Sequence, residues 1–177
     1  AWRPGDTCNV SIGQGALAVT PIQVAVMTAA LASEGKIYQP HVVLAAREAD
    51  GGTLHPMPGE PPQVAPWSKT SLKIVRPGMR DVIQAPSGTG MRARIADVEM
   101  AGKTGTAEYG PRDQRKKHTW MILFAPFEKP RYAAVMVLDE GESGGKSVAP
   151  RMRELMYGIF HGMAETDDGG KGEEAEG

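Results

Sequence analysis

The most unusual stretch of the sequence is A-G-K-T-G-T-A at residues 101–107, where two glycines and a lysine interrupt a predicted β-strand. Glycine weakens a strand unless another group must approach its backbone closely, and a ligand is one such group. The exposed amides would donate hydrogen bonds to an oxyanion or to a peptide carbonyl. Lys103 adds a positive charge, while Thr104 and Thr106 add hydroxyl groups. The combination predicts a site for an anionic substrate that undergoes acyl transfer.

Strand geometry sets a condition on this site. Successive side chains of a β-strand point to opposite faces, so Lys103 and Gly105 lie on one face and Thr104 and Thr106 on the other. One ligand contacts both sets only if the strand lies at the edge of a sheet and lines a cleft. An isolated K-T-G tripeptide is more often a weak edge strand with a solvent-exposed lysine, so the segment needs further support.

Acyl transfer by serine also needs a nucleophile, and two strings have the S-x-x-K spacing that places serine and lysine one turn apart on a helix: residues 33–36 and 143–146. Ser33 falls at the predicted end of a helix rather than at its start. Ser143 is followed by two glycines in a predicted loop. Neither string fits a serine–lysine pair on one face of a helix.

Two other polar residues, His118 and Gln14, are interpreted as structural. His118 opens the strand that follows, but no serine or carboxylate is placed by the sequence to complete a triad with it. A structural hydrogen-bonding role is therefore favoured for His118. Gln14 is interpreted as a structural loop residue.

A second glycine-rich stretch, E-G-E-S-G-G-K-S at residues 140–147, nearly matches a phosphate-binding loop between a predicted strand and a predicted helix. Glu140 replaces the first glycine of that loop, and Asp139 would add further acidic charge beside the phosphates. The neighbouring strands are predicted to be antiparallel, whereas such nucleotide-binding folds use parallel strands. A flexible loop is favoured here, with nucleotide binding as the alternative.

The elements that position these segments begin with a helix at residues 20–33. Thr20 can cap it, Pro21 suits its first turn, and Gln23 can complete a capping box. Gly35 is a suitable stop. The helix is apolar nearly all round, which predicts burial on most of its faces.

Strand, loop and helix patterns alternate along the rest of the chain. Helical spacing at residues 71–84 is interrupted by Pro77, which predicts a kink or two short helices. Residues 50–66 are rich in glycine and proline and predict a loop. Strands are predicted at residues 39–47, 98–109, 119–125 and 132–138, a hairpin connection at 126–130, and a closing helix at 147–163. This order predicts an α+β fold with a mainly antiparallel sheet packed by helices.

Composition excludes several classes of function. A net charge of −1 gives no reason to expect a nucleic acid partner. One cysteine and four scattered histidines predict neither a disulfide framework nor a metal site, and no cofactor is expected. No apolar run is long enough to cross a bilayer. Residues 165–177 are glycine-rich and acidic, which predicts a disordered tail after a folded unit at residues 1–164.

Several motifs in a fixed order resemble class B penicillin-binding proteins. S-I-G-Q-G at residues 11–15, followed by Thr20 and Pro21, is similar to a signature of that family. The further motifs are G-K at 35–36, P-H at 40–41, G-T-G at 88–90, K-T-G-T at 103–106, H-T-W at 118–120 and A-P at 125–126. The resemblance runs from about residue 2 to residue 160, and it is specific because the motifs occur in register.

The resemblance implies a penicillin-binding transpeptidase fold and a D,D-transpeptidase activity. In that family a serine attacks the penultimate D-Ala of a peptidoglycan stem peptide, expels the terminal D-Ala and forms an acyl-enzyme. An amine of a neighbouring strand then takes the acyl group, and β-lactams are trapped at the acyl stage. By resemblance, Lys103 would set the electrostatics of the site, and Thr104, Gly105 and Thr106 would bind substrate through the threonine hydroxyls. The Thr106 backbone N–H would be one oxyanion donor.

In the family, the S-x-x-K and S-x-N elements precede S-I-G-Q-G, and both are absent here. The S-x-N element is absent because Asn9 is the only asparagine and the residue two positions before it is Thr7 rather than serine. We therefore expect the C-terminal half of a transpeptidase domain, inactive alone, whose partner is the N-terminal part of its own domain. Peptidoglycan stem peptides and β-lactam antibiotics are the other expected partners. The expected location is the bacterial cell envelope, with membrane attachment only through an N-terminal anchor outside this chain. A non-catalytic β-lactam sensor or a β-lactamase relative remains an alternative.

Overall fold

The computed structural model describes residues 2–15, 17–49, 51–57, 59–111 and 113–162. Their helices are α1 Pro4–Ser11, α2 Pro21–Ala32, α3 Lys69–Gln84 and α4 Ala149–His161, with a 3₁₀ turn at Met91–Ala93 and a π-helical turn at Gly144–Val148. The strands are β1 Lys36–Ile37, β2 Ala45–Arg47, β3 Leu54–Pro56, β4 Gln63–Val64, β5 Ala101–Tyr109, β6 Lys116–Ala125 and β7 Tyr132–Asp139. The α+β class is confirmed. The tail expected at residues 165–177 lies outside the described residues, and the boundary after residue 164 stays a prediction.

The main sheet has the order β5-β6-β7 and is antiparallel throughout, so β5 is its outer strand within the described residues. Thr106 lies opposite Thr119 on β6, and Ala125 lies opposite Tyr132 across the β6–β7 hairpin. The three strands predicted from the sequence are confirmed, although β5 begins later and β6 earlier than expected. The K-T-G-T segment therefore lies on an edge strand, as the geometric condition required.

Helices cover both faces of this sheet. Met121 and Leu123 of β6 point to one face, where they join a fully buried cluster with Met152 and Met156 of α4. Phe124 points to the opposite face and packs with residues of α2 and α3. Burying such a side chain completely contributes about 1.5–3 kcal/mol relative to leaving it exposed. The core thus holds β5 and β6 in place from both sides.

Helix α2 begins as the sequence predicts. The Thr20 hydroxyl accepts the N–H of Gln23 at 3.3 Å, and the Gln23 side chain accepts the N–H of Thr20 at 2.8 Å, which completes the capping box. Gly35 follows the helix with φ near +106°, a conformation that glycine adopts without strain. The prediction that most faces of α2 are buried is wrong for the described residues, because Ile22 is 55% and Met27 is 41% exposed.

Of the two outcomes predicted at Pro77, two short helices is wrong, since one helix of 16 residues passes through this proline. Ser68 caps the start, and its hydroxyl accepts the N–H of Ser71 at 3.0 Å. Proline removes one backbone hydrogen bond from a helix interior. Tertiary contacts beside it offset that loss, because the Arg76 guanidinium donates to the carbonyls of Ala32 at 3.0 Å and Phe127 at 3.2 Å.

The sequence reasoning also misses smaller elements. The strand expected at residues 39–47 shrinks to β2, and the loop expected at 50–66 contains β3 and β4, which pair with β2 and β1. Helix α1 has no buried residue, so its sequence has no repeating apolar pattern from which the helix could be predicted. No helix in the described part of the chain is long and apolar enough to cross a membrane.

Candidate active site

The two glycines of β5 have different neighbours. A Cβ on Gly102 would overlap the Ile122 carbonyl oxygen of β6 and would lie 3.0 Å from Ile83 Cδ1 of α3, so this glycine is required by close contact with both elements. A Cβ on Gly105 would meet only Trp120 Cβ, at an ordinary 3.5 Å. Close approach of a ligand is therefore an explanation for Gly105 and not for Gly102.

Three consecutive residues of β5, Thr104, Gly105 and Thr106, line an open cleft of about 390 Å³. Its other walls come from two loops that are distant in sequence. The lining residues from these loops are Gly88, Thr89, Met91 and Arg92 on one side and Ser143, Gly144, Gly145 and Lys146 on the other. The described lining residues include several hydroxyl groups and the cations Arg92 and Lys146, of which Lys146 is paired with Glu142. None of these described residues is a carboxylate, so the cleft suits an anionic ligand.

The two threonine hydroxyls are placed at different depths. The Thr104 hydroxyl forms a hydrogen bond with the Thr89 hydroxyl at 2.8 Å, and Thr104 is only 9% exposed. Thr106 is exposed. The Thr104 hydroxyl is thus held at the base of the cleft, whereas the Thr106 hydroxyl is free to meet a ligand directly.

Lys103 lies on the other face of β5 and does not line the cleft, as strand periodicity predicts. Its side chain folds back to the strand edge, where Nζ donates to the Thr104 carbonyl at 2.5 Å. No described carboxylate forms an ion pair with Lys103 within 4.0 Å. The ammonium group therefore lies beside the edge of β5 with its charge unneutralised by an acidic neighbour.

The outer edge of β5 presents the backbone of Thr104 and Thr106. In an antiparallel pair the N–H and C=O of one residue point to the same neighbour. The Thr106 carbonyl accepts a hydrogen bond from Gln14 Nε2 at 3.1 Å, from outside the sheet. The Thr106 N–H consequently points away from β6 as well, toward the open edge.

Gln14, which the sequence predicts to be a structural loop residue, contacts the backbone of the candidate site through this hydrogen bond. It belongs to the S-I-G-Q-G segment, 92 residues from its hydrogen-bond partner. The residues that neighbour Gln14 in the sequence do not predict this contact. The sequence feature that could have indicated it is the pair of glycines around Gln14, which is typical of a loop whose backbone adopts positive φ angles.

The turn at residues 143–146 forms the opposite wall of the cleft. A Cβ on Gly144 would overlap the Trp120 carbonyl of β6 and would lie 2.9 Å from the Gly105 carbonyl oxygen of β5, and a Cβ on Gly145 would overlap the Thr89 carbonyl. These glycines are needed because the turn packs directly on backbone. The phosphate-loop alternative is not favoured, since the preceding strand belongs to an antiparallel sheet and Lys146 pairs with Glu142.

Neither S-x-x-K string forms a serine–lysine pair in the structure. The Ser33 hydroxyl follows the last turn of α2 and donates to the carbonyl of Ala29 at 2.8 Å. The Ser143 hydroxyl accepts the backbone N–H of Lys146 at 3.2 Å and caps the turn. Both serines therefore serve local backbone structure, as the sequence reasoning expected.

His118 has a carboxylate neighbour that the sequence reasoning did not find. Its Nε2 lies 3.3 Å from Asp139 Oδ1, the same oxygen that accepts the Tyr109 hydroxyl at 2.6 Å. That hydrogen bond lowers the pKa of Asp139 and raises the pKa of Tyr109. His118 lies opposite Ala107, outside the lining of the cleft, so the cluster joins three strands rather than forming a triad.

Comparison with known proteins agrees with this geometry. Residues 1–157 match the family described as the penicillin binding protein transpeptidase domain. The chain is 33% identical over 181 residues to the peptidoglycan D,D-transpeptidase MrdA of Salmonella typhimurium, covering 94% of this chain and 29% of that protein. It is 35% identical over 149 residues to the peptidoglycan D,D-transpeptidase PbpA of Mycolicibacterium smegmatis, covering 79% of this chain and 29% of the relative.

Solved structures show the same likeness. Penicillin binding protein 3 of Mycobacterium tuberculosis, complexed with aztreonam, has a TM-score of 0.77 and 27% identity and covers 90% of this chain and 38% of its own. Pseudomonas aeruginosa PBP2 in complex with WCK 5153 has a TM-score of 0.74 and 30% identity, covering 93% of this chain and 36% of its own. The chain thus spans about a third of the length of each of these relatives.

Proposed function

The chain belongs to the penicillin-binding protein transpeptidase family, and we propose that it forms the K-T-G-T wall in the active site of a peptidoglycan D,D-transpeptidase. One observation carries the proposal. Thr104, Gly105 and Thr106 line a cationic cleft on an edge strand whose Thr106 N–H points outward. An edge strand with free amides and adjacent hydroxyls suits a peptide carbonyl and a carboxylate at the same time.

In the proposed reaction, a serine supplied by another part of the domain attacks the carbonyl of the penultimate D-Ala. The carbonyl oxygen becomes an oxyanion, which the Thr106 N–H stabilises together with the amide of the nucleophile. Removing one such donor costs about 10²–10³ in kcat. The bond to the terminal D-Ala then breaks, its amine leaves with a proton, and the acyl-enzyme passes its acyl group to a second strand's amine.

The side chains of this chain divide the remaining tasks. The Thr106 hydroxyl contacts the substrate carboxylate, and the Thr104 hydroxyl, fixed by Thr89, supports it from the base of the cleft. The Lys103 ammonium lies at the strand edge, where it adds positive charge near the oxyanion. Its proximity to backbone oxygens rather than to an acid keeps that charge available.

Partners and location are part of the proposal. We assign peptidoglycan stem peptides as substrates, β-lactams as acylating inhibitors, and the N-terminal part of the same domain as the source of the nucleophile. The aztreonam complex of the mycobacterial relative supports β-lactam binding. The working place of such a protein is the bacterial cell envelope, where its polymeric substrate lies.

Labelling with fluorescent penicillin tests the proposal. The chain alone should remain unlabelled, because the hydroxyls of Ser33 and Ser143 are bound to backbone groups. The intact transpeptidase domain should be labelled covalently, and excess unlabelled penicillin should prevent it. Covalent labelling of the isolated chain would contradict the missing nucleophile, and an unlabelled but folded intact domain would contradict the transpeptidase function.

A further inference from the structure

The S-I-G-Q-G loop has a backbone that only glycine adopts easily. Gly13 and Gly15, on either side of Gln14, have φ near +73° and +92°. The Gln14 N–H donates to the Asn9 carbonyl at 2.8 Å, which folds the loop back over the end of α1. The two glycines therefore place Gln14 at the tip of a closed turn, and its side chain leaves the loop toward β5.

The contact that Gln14 makes there is specific. Its Nε2 donates to the Thr106 carbonyl at 3.1 Å, and the half-buried side chain spans the gap between the loop and the edge strand. The carbonyl of an outer strand has no partner from its own sheet on that side. Gln14 thus supplies the hydrogen bond that a neighbouring strand would otherwise supply.

The two peptide groups on either side of Thr106 are restrained by different partners. Gly105 has no Cβ and is the residue whose ψ angle sets the orientation of the Thr106 N–H. The Gly105 carbonyl lies in the same peptide plane as the Thr106 N–H and points to β6, so the sheet restrains this plane from one side only. The Gln14 bond restrains the Thr106 backbone from its other side, at the carbonyl.

We propose that Gln14 is a positioning residue for acyl transfer, which holds the Thr106 backbone so that its N–H meets the oxyanion. This inference rests on the proposed function. Gln14 itself touches no reacting atom. Because the oxyanion forms only in the transition state, the effect of Gln14 falls on the acylation rate constant and hardly on initial binding.

Single-turnover acylation of the intact transpeptidase domain by a chromogenic β-lactam separates these quantities. Gln14→Ala should lower the acylation rate constant about tenfold, a modest share of what misplacing a catalytic group costs. The dissociation constant of the non-covalent complex should change by less than about twofold. Gln14→Glu keeps the side-chain length but replaces the N–H donor with a carboxylate, so its acylation should be at least as slow.

Gln84→Ala is the matched control. Gln84 Nε2 also donates to a backbone carbonyl, that of Met100 at 3.4 Å, next to β5 but away from the cleft. Its loss should leave the acylation rate constant unchanged, and thermal midpoints of all variants should report any general loosening. Equal slowing in Gln14→Ala and Gln84→Ala, or a Gln14→Glu domain as fast as the wild type, overturns the positioning role. If the folded wild-type domain is not acylated at all, the proposed function fails instead.

Discussion

Two glycine-rich segments meet at the cleft, residues 101–107 on β5 and residues 141–147 between β7 and α4. In the second segment, a Cβ on Gly144 would lie within 3.0 Å of the Gly105 backbone, so its missing side chain is used by internal packing. In the first segment, Gly105 has ordinary space around it and faces a cleft. The same residue type thus serves close packing in one wall and access in the other.

The lysines of the two segments differ in the same way. Lys146 pairs with Glu142 four residues earlier, so its charge is balanced within its own turn. Lys103 donates to a backbone carbonyl of its own strand instead. A lysine beside a glycine is therefore a functional signal only when its charge remains available, and that depends on neighbours that the short pattern does not contain.

Replacing Lys103 gives the largest expected effect on this comparison. In the intact domain, Lys103→Ala should lower the second-order rate of acylation by penicillin by about 10²-fold or more, since electrostatic stabilisation of the oxyanion is lost. Circular dichroism should be unchanged, because the side chain is exposed. The control is Lys129→Ala, which removes an equally exposed lysine from the β6–β7 hairpin and should leave the rate unaltered. A rate within threefold of the wild type in Lys103→Ala would remove Lys103 from the site.

A methyl group on Gly144 tests the packing side of the comparison. Gly144→Ala should lower the free energy of unfolding by about 1–3 kcal/mol, because its Cβ forces the turn away from the backbone of β5. Urea denaturation of the intact domain measures this quantity. The matched change is Gly105→Ala, whose Cβ meets only Trp120 at 3.5 Å and should alter stability by less than about 1 kcal/mol. Equal destabilisation by both variants would show that both glycines are required for close packing.

Much of the fold is visible in the sequence because its signals are local. The capping box of Thr20 and Gln23 and the alternating strands β5 to β7 depend on residues a few positions apart. The continuity of the helix through Pro77 is not predicted in this way, since the contacts of Arg76 with Ala32 and Phe127 beside it are distant in sequence. Local patterns therefore predict elements well, and tertiary contacts decide the exceptions.

The same distinction between local patterns and tertiary contacts applies to the candidate site. The order of motifs predicts a site at residues 103–106, and strand periodicity correctly places Lys103 and Thr104 on different faces. The roles of Gln14 and Thr89 cannot be predicted in this way, because each depends on a partner that only the folded chain brings within 3.1 Å. The residues proposed to touch substrate carry recognisable chemistry, whereas the residues proposed to position them resemble ordinary loop residues.

Thr89 joins the two segments and gives the smallest expected effect. Its hydroxyl meets that of Thr104 at 2.8 Å, while its carbonyl lies against Gly145. Thr89→Val keeps the shape but leaves the largely buried Thr104 hydroxyl without this partner, which should cost about 1 kcal/mol of unfolding free energy. The double variant with Thr104→Val should cost less than the sum of the single changes, with a coupling of about 0.5–1.5 kcal/mol. Thr53→Val, at an exposed loop position, should change stability by less than about 0.5 kcal/mol. A coupling near zero in urea denaturation would mean that the two walls of the cleft are held independently.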